Sequence, residues 1–186
     1  MSWKKISELT TQIPSGVFNA ANTYKRILQA DRNKTLAQIR YNRVAKQLTP
    51  ESIPQFEQIQ RDMESSHSEW QKYVQQSTGS INLDDLSSRW DSAQRSGAPW
   101  STLPNDIRNT LKAYKSVLQS DRNGILANAL HQQALAKLGK NDVEQFQKMQ
   151  TEMEMSHSEW LNQVKKSKDL MSLDELAKIW SRTVRF

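Results

Sequence analysis

Residues 56–74 read FEQIQRDMESSHSEWQKYV, and residues 146–164 read FQKMQTEMEMSHSEWLNQV. Positions three and four apart carry the apolar residues, interrupted in each stretch by one histidine. In the first stretch they are Phe56, Ile59, Met63, His67, Trp70 and Val74; in the second they are Phe146, Met149, Met153, His157, Trp160 and Val164. This spacing puts each set on one face of a helix. We therefore predict two long amphipathic helices with buried faces.

The two stretches are 90 positions apart, and the same offset relates most of the chain. Aligning 14–93 with 104–183 gives 28 identities in 80 positions, with no gap. Fixed-period similarity of this kind indicates an internal repeat. We interpret the chain as a tandem duplication of a helical unit of about 90 residues. Residues 1–93 are copy 1, residues 94–103 are a linker, and residues 104–186 are copy 2.

The sequence of each copy also predicts a helix at its start and a short helix at its end. Pro14 and Pro104 suit first helical turns, and apolar residues follow at helical spacing. Asn123-Gly124 is a turn signal that allows a break in the first helix of copy 2. Ser172 and Glu175 fit a capping box at the start of the last helix of copy 2, which we expect to end near Trp180. We expect its counterpart in copy 1 to end near Trp90.

These elements define an all-α fold. A helical hairpin cannot bury its whole apolar face alone. We therefore expect the copies to pack as one pseudo-two-fold four-helix bundle with short accessory helices.

Composition narrows the functional classes. The chain has no cysteine, which excludes a disulfide scaffold, thiol catalysis and cysteine-ligated zinc. No apolar stretch is long enough for a signal peptide or a membrane span, so we expect a soluble cytoplasmic protein without a membrane partner. The net charge of +6 is compatible with nucleic acid or an acidic protein as partner.

Polar residues on the predicted apolar faces are the candidates for chemistry, because burying them without partners is costly. They are Asp31, Glu64, His67, Asp121, Glu154 and His157. Two Glu-x-x-His pairs with one further carboxylate per copy resemble the ligand count of ferritin-like two-metal bundles, although those bundles generally supply Glu where this chain has Asp. We favour a structural role, in which Glu64 and His67 approach Asp31 within copy 1. Two divalent metal ions are the alternative.

Other catalytic patterns are missing from the sequence. Ser66 and Ser68 flank His67, but no nucleophile elbow accompanies them. No glycine-rich phosphate loop is present either. The sequence therefore gives no cofactor motif and favours a non-enzymatic protein.

Basic residues distinguish the two copies. Over 24–46 copy 1 has seven Lys and Arg against one acid, whereas 114–136 has two. The residues that we assign to this basic face, or to its border, are Lys25, Arg26, Arg32, Arg40, Arg43 and Lys46. Copy 2 has Leu130, Gln133 and Ala136 in the last three positions. We expect Arg40 and Arg43 to be exposed. We expect Leu130 and Ala136 to be partly covered by the rest of the chain or by a second subunit.

The sequence favours an adaptor or scaffold that binds a protein partner. The two alternatives are a ferritin-like two-metal protein, active or degenerate, and a nucleic-acid-binding protein that uses the basic face. The sequence leaves the oligomeric state open.

Overall fold

The fold is all-helical in a computed structural model that describes residues 13–76 and 100–183, with side chains as far as Lys178. Within these ranges there are five α-helices, one short 3-10 helix at Trp100–Thr102, and no strand. The α-helices are α1 (Ser15–Ala45), α2 (Ile53–Gln76), α3 (Asn105–Ala136), α4 (Val143–Ser167) and α5 (Leu173–Thr183). The short helix predicted near Trp90 and the side chain of Trp180 lie outside the described residues.

The first helix of each copy is continuous. α1 runs through Asn33-Lys34, and α3 runs through Asn123-Gly124 without the break that the sequence allowed. A Cβ at Gly124 would meet the nearest side chain, Ala30, at 3.9 Å. This is ordinary van der Waals contact, so Gly124 is accommodated as a helical residue and does not mark a turn.

The predicted start of the last helix is confirmed. Before α5, the Ser172 backbone N–H donates to Glu175 Oε2 at 3.2 Å, and the Glu175 N–H donates to Ser172 Oγ at 3.2 Å. These reciprocal bonds satisfy two N–H groups that a helix start leaves without helical partners. The α5 residue Leu176 is fully buried, and the Trp160 indole of α4 donates to its carbonyl at 3.4 Å.

The helices divide into two compact units. Among the described residues, unit 1 contains 13–36 and 123–183, and unit 2 contains 37–76 and 100–122. α1 therefore passes from unit 1 into unit 2 after Leu36, and α3 passes from unit 2 into unit 1 after Arg122. Each unit draws segments from both sequence copies.

The core of unit 1 joins α1 of copy 1 to α4 of copy 2. Its buried residues are Val17, Ala20, Ala21, Leu28, Phe146, Met149 and Met153. The core of unit 2 joins α2 of copy 1 to α3 of copy 2. Its buried residues are Phe56, Met63, Ile107, Leu111 and Leu118. The packing of both copies as one pseudo-two-fold bundle stays a prediction.

The two predicted amphipathic faces are buried as expected. In α2, five of the six positions are buried, and Ile59 is half-buried. In α4, all six are buried. Trp70 and Trp160, at 4% and 0% exposure, are core residues. The buried His67 and His157 interrupt these apolar faces, and their partners define the candidate site.

Candidate functional site

In unit 2, His67 joins two neighbouring residues of α3. Its Nε2 lies 2.8 Å from Asp121 Oδ2, and Arg122 Nε donates to its Nδ1 at 3.1 Å. An arginine N–H can only donate, so Nδ1 must accept and the imidazole proton must sit on Nε2. His67 is thus a neutral imidazole that donates to Asp121. We call His67, Asp121 and Arg122 the unit 2 bridge.

The surroundings of the unit 2 bridge hold it in place. The Trp70 ring stacks on His67 with 6.2 Å between ring centroids, and the Arg122 guanidinium carbon lies 5.9 Å from the centroid of the same Trp70 ring. Gln71 Nε2 donates a second hydrogen bond to Asp121 Oδ2 at 3.1 Å. Arg122 is only 1% exposed. A buried arginine that lies against an aromatic ring and belongs to a network of hydrogen-bonded side chains is typical of a structural role.

Unit 1 contains the same arrangement. His157 Nε2 lies 2.7 Å from Asp31 Oδ2, and Arg32 Nε donates to His157 Nδ1 at 3.2 Å. The Trp160 ring stacks on His157, also at 6.2 Å. We call His157, Asp31 and Arg32 the unit 1 bridge.

Electrostatics support a charged Asp31 and Arg32. The hydrogen bond from His157 lowers the pKa of Asp31 below 3.8, although partial burial opposes it. Burial lowers the pKa of Arg32 to about 10, and the charge of Asp31 opposes this. Both groups therefore stay ionised at neutral pH, with the neutral imidazole between them.

The two Glu-x-x-His glutamates bond to tyrosines. Tyr114 Oη donates to Glu64 Oε1 at 2.7 Å in unit 2, and Tyr24 Oη donates to Glu154 Oε1 at 2.6 Å in unit 1. Burial, followed by the neighbouring glutamate, raises the pKa of both tyrosines. Neither these tyrosine–glutamate bonds nor the bridging role of Arg32 and Arg122 was predicted from the sequence. The signal was present, because all four are identical at the 90-residue offset.

The expected pairing within one copy is wrong. His67 of copy 1 bonds to Asp121 of copy 2, and His157 of copy 2 bonds to Asp31 of copy 1. The reason is the path of the long helices: Asp31 lies in the part of α1 that belongs to unit 1, and His67 lies in unit 2.

Four of the six metal candidates thus form two His–Asp pairs, and the other two, Glu64 and Glu154, bond to tyrosines. Among the residues that the structure describes, no group of three or more His, Asp or Glu side chains could hold a metal ion. Both nitrogens of His67 and His157 already make hydrogen bonds. A metal at Nδ1 would have to displace an arginine N–H.

The six predicted basic-face residues are divided between the units. In unit 1, Arg26 is exposed and Lys25 is half-buried. Burial, reinforced by the charge of Arg32, lowers the pKa of Lys25. Arg32 itself is 0% exposed, so its assignment to a surface is wrong: it serves the unit 1 bridge.

In unit 2, Arg40 is exposed as expected, and Lys46 is exposed too. Arg43 is half-buried, so the prediction that it is exposed was wrong. We call Arg40, Arg43 and Lys46 the unit 2 basic surface. Of their copy 2 counterparts, Leu130 is half-buried as expected. The described part of the chain leaves Ala136 exposed, and its coverage by a second subunit stays a prediction. Ala136 lies in the last turn of α3, where the chain leaves the helix.

The described residues form an all-helical fold in which each unit contains a His–Asp–Arg bridge whose histidine and arginine are buried. None of its described helices is long and apolar enough to cross a membrane. Comparison of the chain with protein-family models, with curated proteins and with solved structures finds no match.

Proposed function

We propose that this chain is a non-enzymatic helical protein that acts by binding a protein partner through the unit 2 basic surface. One observation carries the proposal: the polar residues shared by both copies bond to each other between helices. His67 bonds to Asp121 and Arg122, and Glu64 bonds to Tyr114. The histidines and carboxylates that are best suited to catalysis therefore already make contacts between helices.

The difference between the copies supports the choice of surface. Arg40 and Lys46 are exposed, and no structural bridge uses them in the contacts described above. Their counterparts Leu130 and Ala136 carry no charge. The two surfaces therefore differ in charge at three matched positions, and only that of copy 1 can attract an acidic partner there.

The neighbouring acids favour a protein over nucleic acid. Glu51 is exposed five residues after Lys46. The Thr49 backbone N–H donates to Asp106 Oδ2 at 3.3 Å, which places Asp106 at the same end of unit 2. A phosphate backbone gains most from an unbroken row of cations. Interspersed charges of both signs suit a protein surface of complementary pattern.

The test is photo-crosslinking in cells that naturally produce the chain. A photoreactive amino acid replaces Asn42, which is exposed between Arg40 and Arg43, or Gln132, its exposed counterpart in copy 2. We expect one discrete crosslinked protein from position 42 and none from position 132. The product should disappear when Arg40, Arg43 and Lys46 are changed together to Gln.

The control removes the same charge elsewhere. Lys140, Lys165 and Lys166 are exposed in unit 1, and changing all three to Gln should leave the crosslink intact. Equal products from both positions, or loss of the product in both triple variants, would contradict the proposed surface. A product that nuclease removes would instead assign the surface to nucleic acid, and titration with a duplex at two salt concentrations would then give its salt slope.

A further inference from the structure

His131 is a buried imidazole that neither bridge uses. It lies in the unit 1 part of α3 and is 4% exposed. The other two histidines of the chain are the bridge residues. At the equivalent position of copy 1 the residue is Tyr41. An ionisable imidazole has thus replaced, or been replaced by, a phenol in an otherwise similar place.

The two residues occupy similar aromatic surroundings. His131 lies 5.3 Å from the Tyr24 ring and 5.7 Å from the Phe146 ring. Tyr41 lies 5.3 Å from the Tyr114 ring and 6.3 Å from the Phe56 ring. Each is therefore part of an aromatic contact between helices of its own unit.

The hydrogen bonds of His131 fix where a second proton would bind. Its Nδ1 lies 2.9 Å from Thr23 Oγ1, and the Thr23 hydroxyl donates its only proton to the Ala20 carbonyl at 2.9 Å. Thr23 must therefore accept, so Nδ1 carries the imidazole proton. Nε2 is the unprotonated nitrogen.

The surroundings of His131 disfavour a charge. Burial lowers the pKa of His131 below 6.5, and the backbone carbonyl of Ala20 opposes this. The titratable group that faces it from α1 is Tyr24, whose hydroxyl bonds to Glu154 of α4. On α3 itself no residue three or four positions away is ionisable: these are Ala127, Asn128, Ala134 and Leu135.

The contact beside His131 is incompletely packed. A cavity of about 200 Å³, open on one side, lies between α1 and α3 and includes Thr23 in its wall. Its other lining residues are Gly16, Asn19, Leu130, Gln133, Ala134 and Lys137. The lining is largely apolar. Helices that meet across a cavity lose contact energy there, so this is a favoured place for them to separate.

We propose that His131 is a pH-sensitive element of unit 1: protonation of its Nε2 places a charge in the aromatic contact and separates the start of α1 from the end of α3. Separation lets water reach the imidazolium and exposes the apolar wall of the cavity. Unit 2 has a neutral phenol at the equivalent place and keeps its contact. The device is independent of the partner-binding surface.

The sign follows from linkage. The folded pKa lies below 6.5, so the stabilisation is fully present above pH 6.5 and is lost as the pH falls from there through the folded pKa. In this window the equilibrium constant for opening rises by up to about tenfold for each unit by which the pH falls.

The first measurement is an NMR titration of the imidazole carbon-bound protons in the wild-type protein. His131 should titrate below 6.5. Both units contain a bridge histidine, so the difference between the units tests His131. Amide hydrogen exchange at pH 7.5 and pH 5.5, corrected for intrinsic rates, should accelerate more in 15–24 and 127–136 at the lower pH than in 53–66. A His131 that titrates at or above 6.5, or exchange that rises equally in both units, overturns the proposal.

Two matched variants are obtained by giving each unit the residue that the other has at this position. His131→Tyr should remove the acid sensitivity of unit 1, and Tyr41→His should confer it on unit 2. The Tm difference between pH 7.5 and pH 5.5 should shrink by about 2–4 °C in His131→Tyr, as expected for a chain of this length. An unchanged pH dependence in His131→Tyr also overturns the proposal. The wild-type titration remains decisive should a variant fail to fold.

Discussion

At the scale of single residues, each bridge depends on its histidine. His67 accepts from a buried arginine and donates to an aspartate, so an apolar side chain in its place would lose both bonds. We expect His67→Ala to lower the free energy of unfolding by about 3 kcal/mol, because it leaves a buried cation without this partner and opens a cavity.

Chemical denaturation measures this loss, and hydrogen exchange should locate it in unit 2. His157→Ala should act in the same way on unit 1. The exposed neighbour Ser68 is the control, and Ser68→Ala should stay within about 0.5 kcal/mol of wild type. Equal effects of His67→Ala and Ser68→Ala would show that the bridge contributes nothing.

Acid should weaken the unit 1 bridge through Asp31. The hydrogen bond from His157 holds the folded pKa of Asp31 below 3.8. The resulting stabilisation is present above pH 3.8 and is lost as the pH falls from there through the folded pKa. Asp31→Asn should therefore be less stable than wild type at pH 7, and its stability should fall less between pH 5 and pH 2. Denaturation across this range is the measurement, and parallel curves for the two proteins would refute the assignment.

The partners of these residues were only partly predictable. The sequence placed Asp31, Glu64 and His67, with their copy 2 counterparts, on buried faces. Of these six residues only His67 and His157 are buried, whereas Asp31, Glu64 and Glu154 are exposed and Asp121 is half-buried. The choice of partner was not encoded locally, because Asp31 and Asp121 have the same neighbours in sequence. A pairing within a copy and a pairing between copies therefore have the same sequence signature.

At the scale of helices, the apolar periodicity predicted the helices correctly, whereas the glycine signal suggested a break that does not occur. The spacing from Phe56 to Val74 correctly identified α2 and its buried face, because a helix of that length needs a continuous apolar face. Asn123-Gly124 suggested a break, yet α3 continues through it. Tertiary packing overrides a weak local signal when the helix has core contacts on both sides of it.

Gly124 is consequently a cost to α3 with no compensating contact. A Cβ there finds its nearest side-chain atom at 3.9 Å, so Gly124→Ala should fit without displacement. We expect it to raise the free energy of unfolding by about 0.5–1 kcal/mol. The counterpart in copy 1 is Lys34, and Lys34→Gly should have the opposite sign. A destabilising Gly124→Ala would mean that α3 needs a bend at this position.

At the scale of the molecule, each core that the described residues form draws on both sequence copies. Unit 1 needs α1 of copy 1 against α4 of copy 2, and unit 2 needs α2 of copy 1 against α3 of copy 2. We expect fragments 1–93 and 104–186 to have low helicity when each is alone and dilute. Mixing them should restore the helical circular dichroism signal of the full chain.

An isolated copy also carries the apolar faces of both of its long helices, because Phe56 and Met63 are the counterparts of Phe146 and Met153. Two molecules of one copy could therefore pack on each other. The helicity of such a fragment should rise with concentration as it self-associates, and sedimentation would detect the dimer. A fragment that is fully helical and monomeric at every concentration would show that the cores form within a copy.

The sharing of both cores between the copies has a consequence for inheritance. Tandem repeats in a gene are prone to recombination that deletes one of them, and in a chain of independent beads such a deletion leaves one working bead. Here the deletion removes part of unit 1 and part of unit 2 together, so no intact unit survives in a single chain. The product could regain a core only by meeting a second molecule of itself. With both halves in one chain, formation of the cores is intramolecular, so we expect it not to depend on protein concentration.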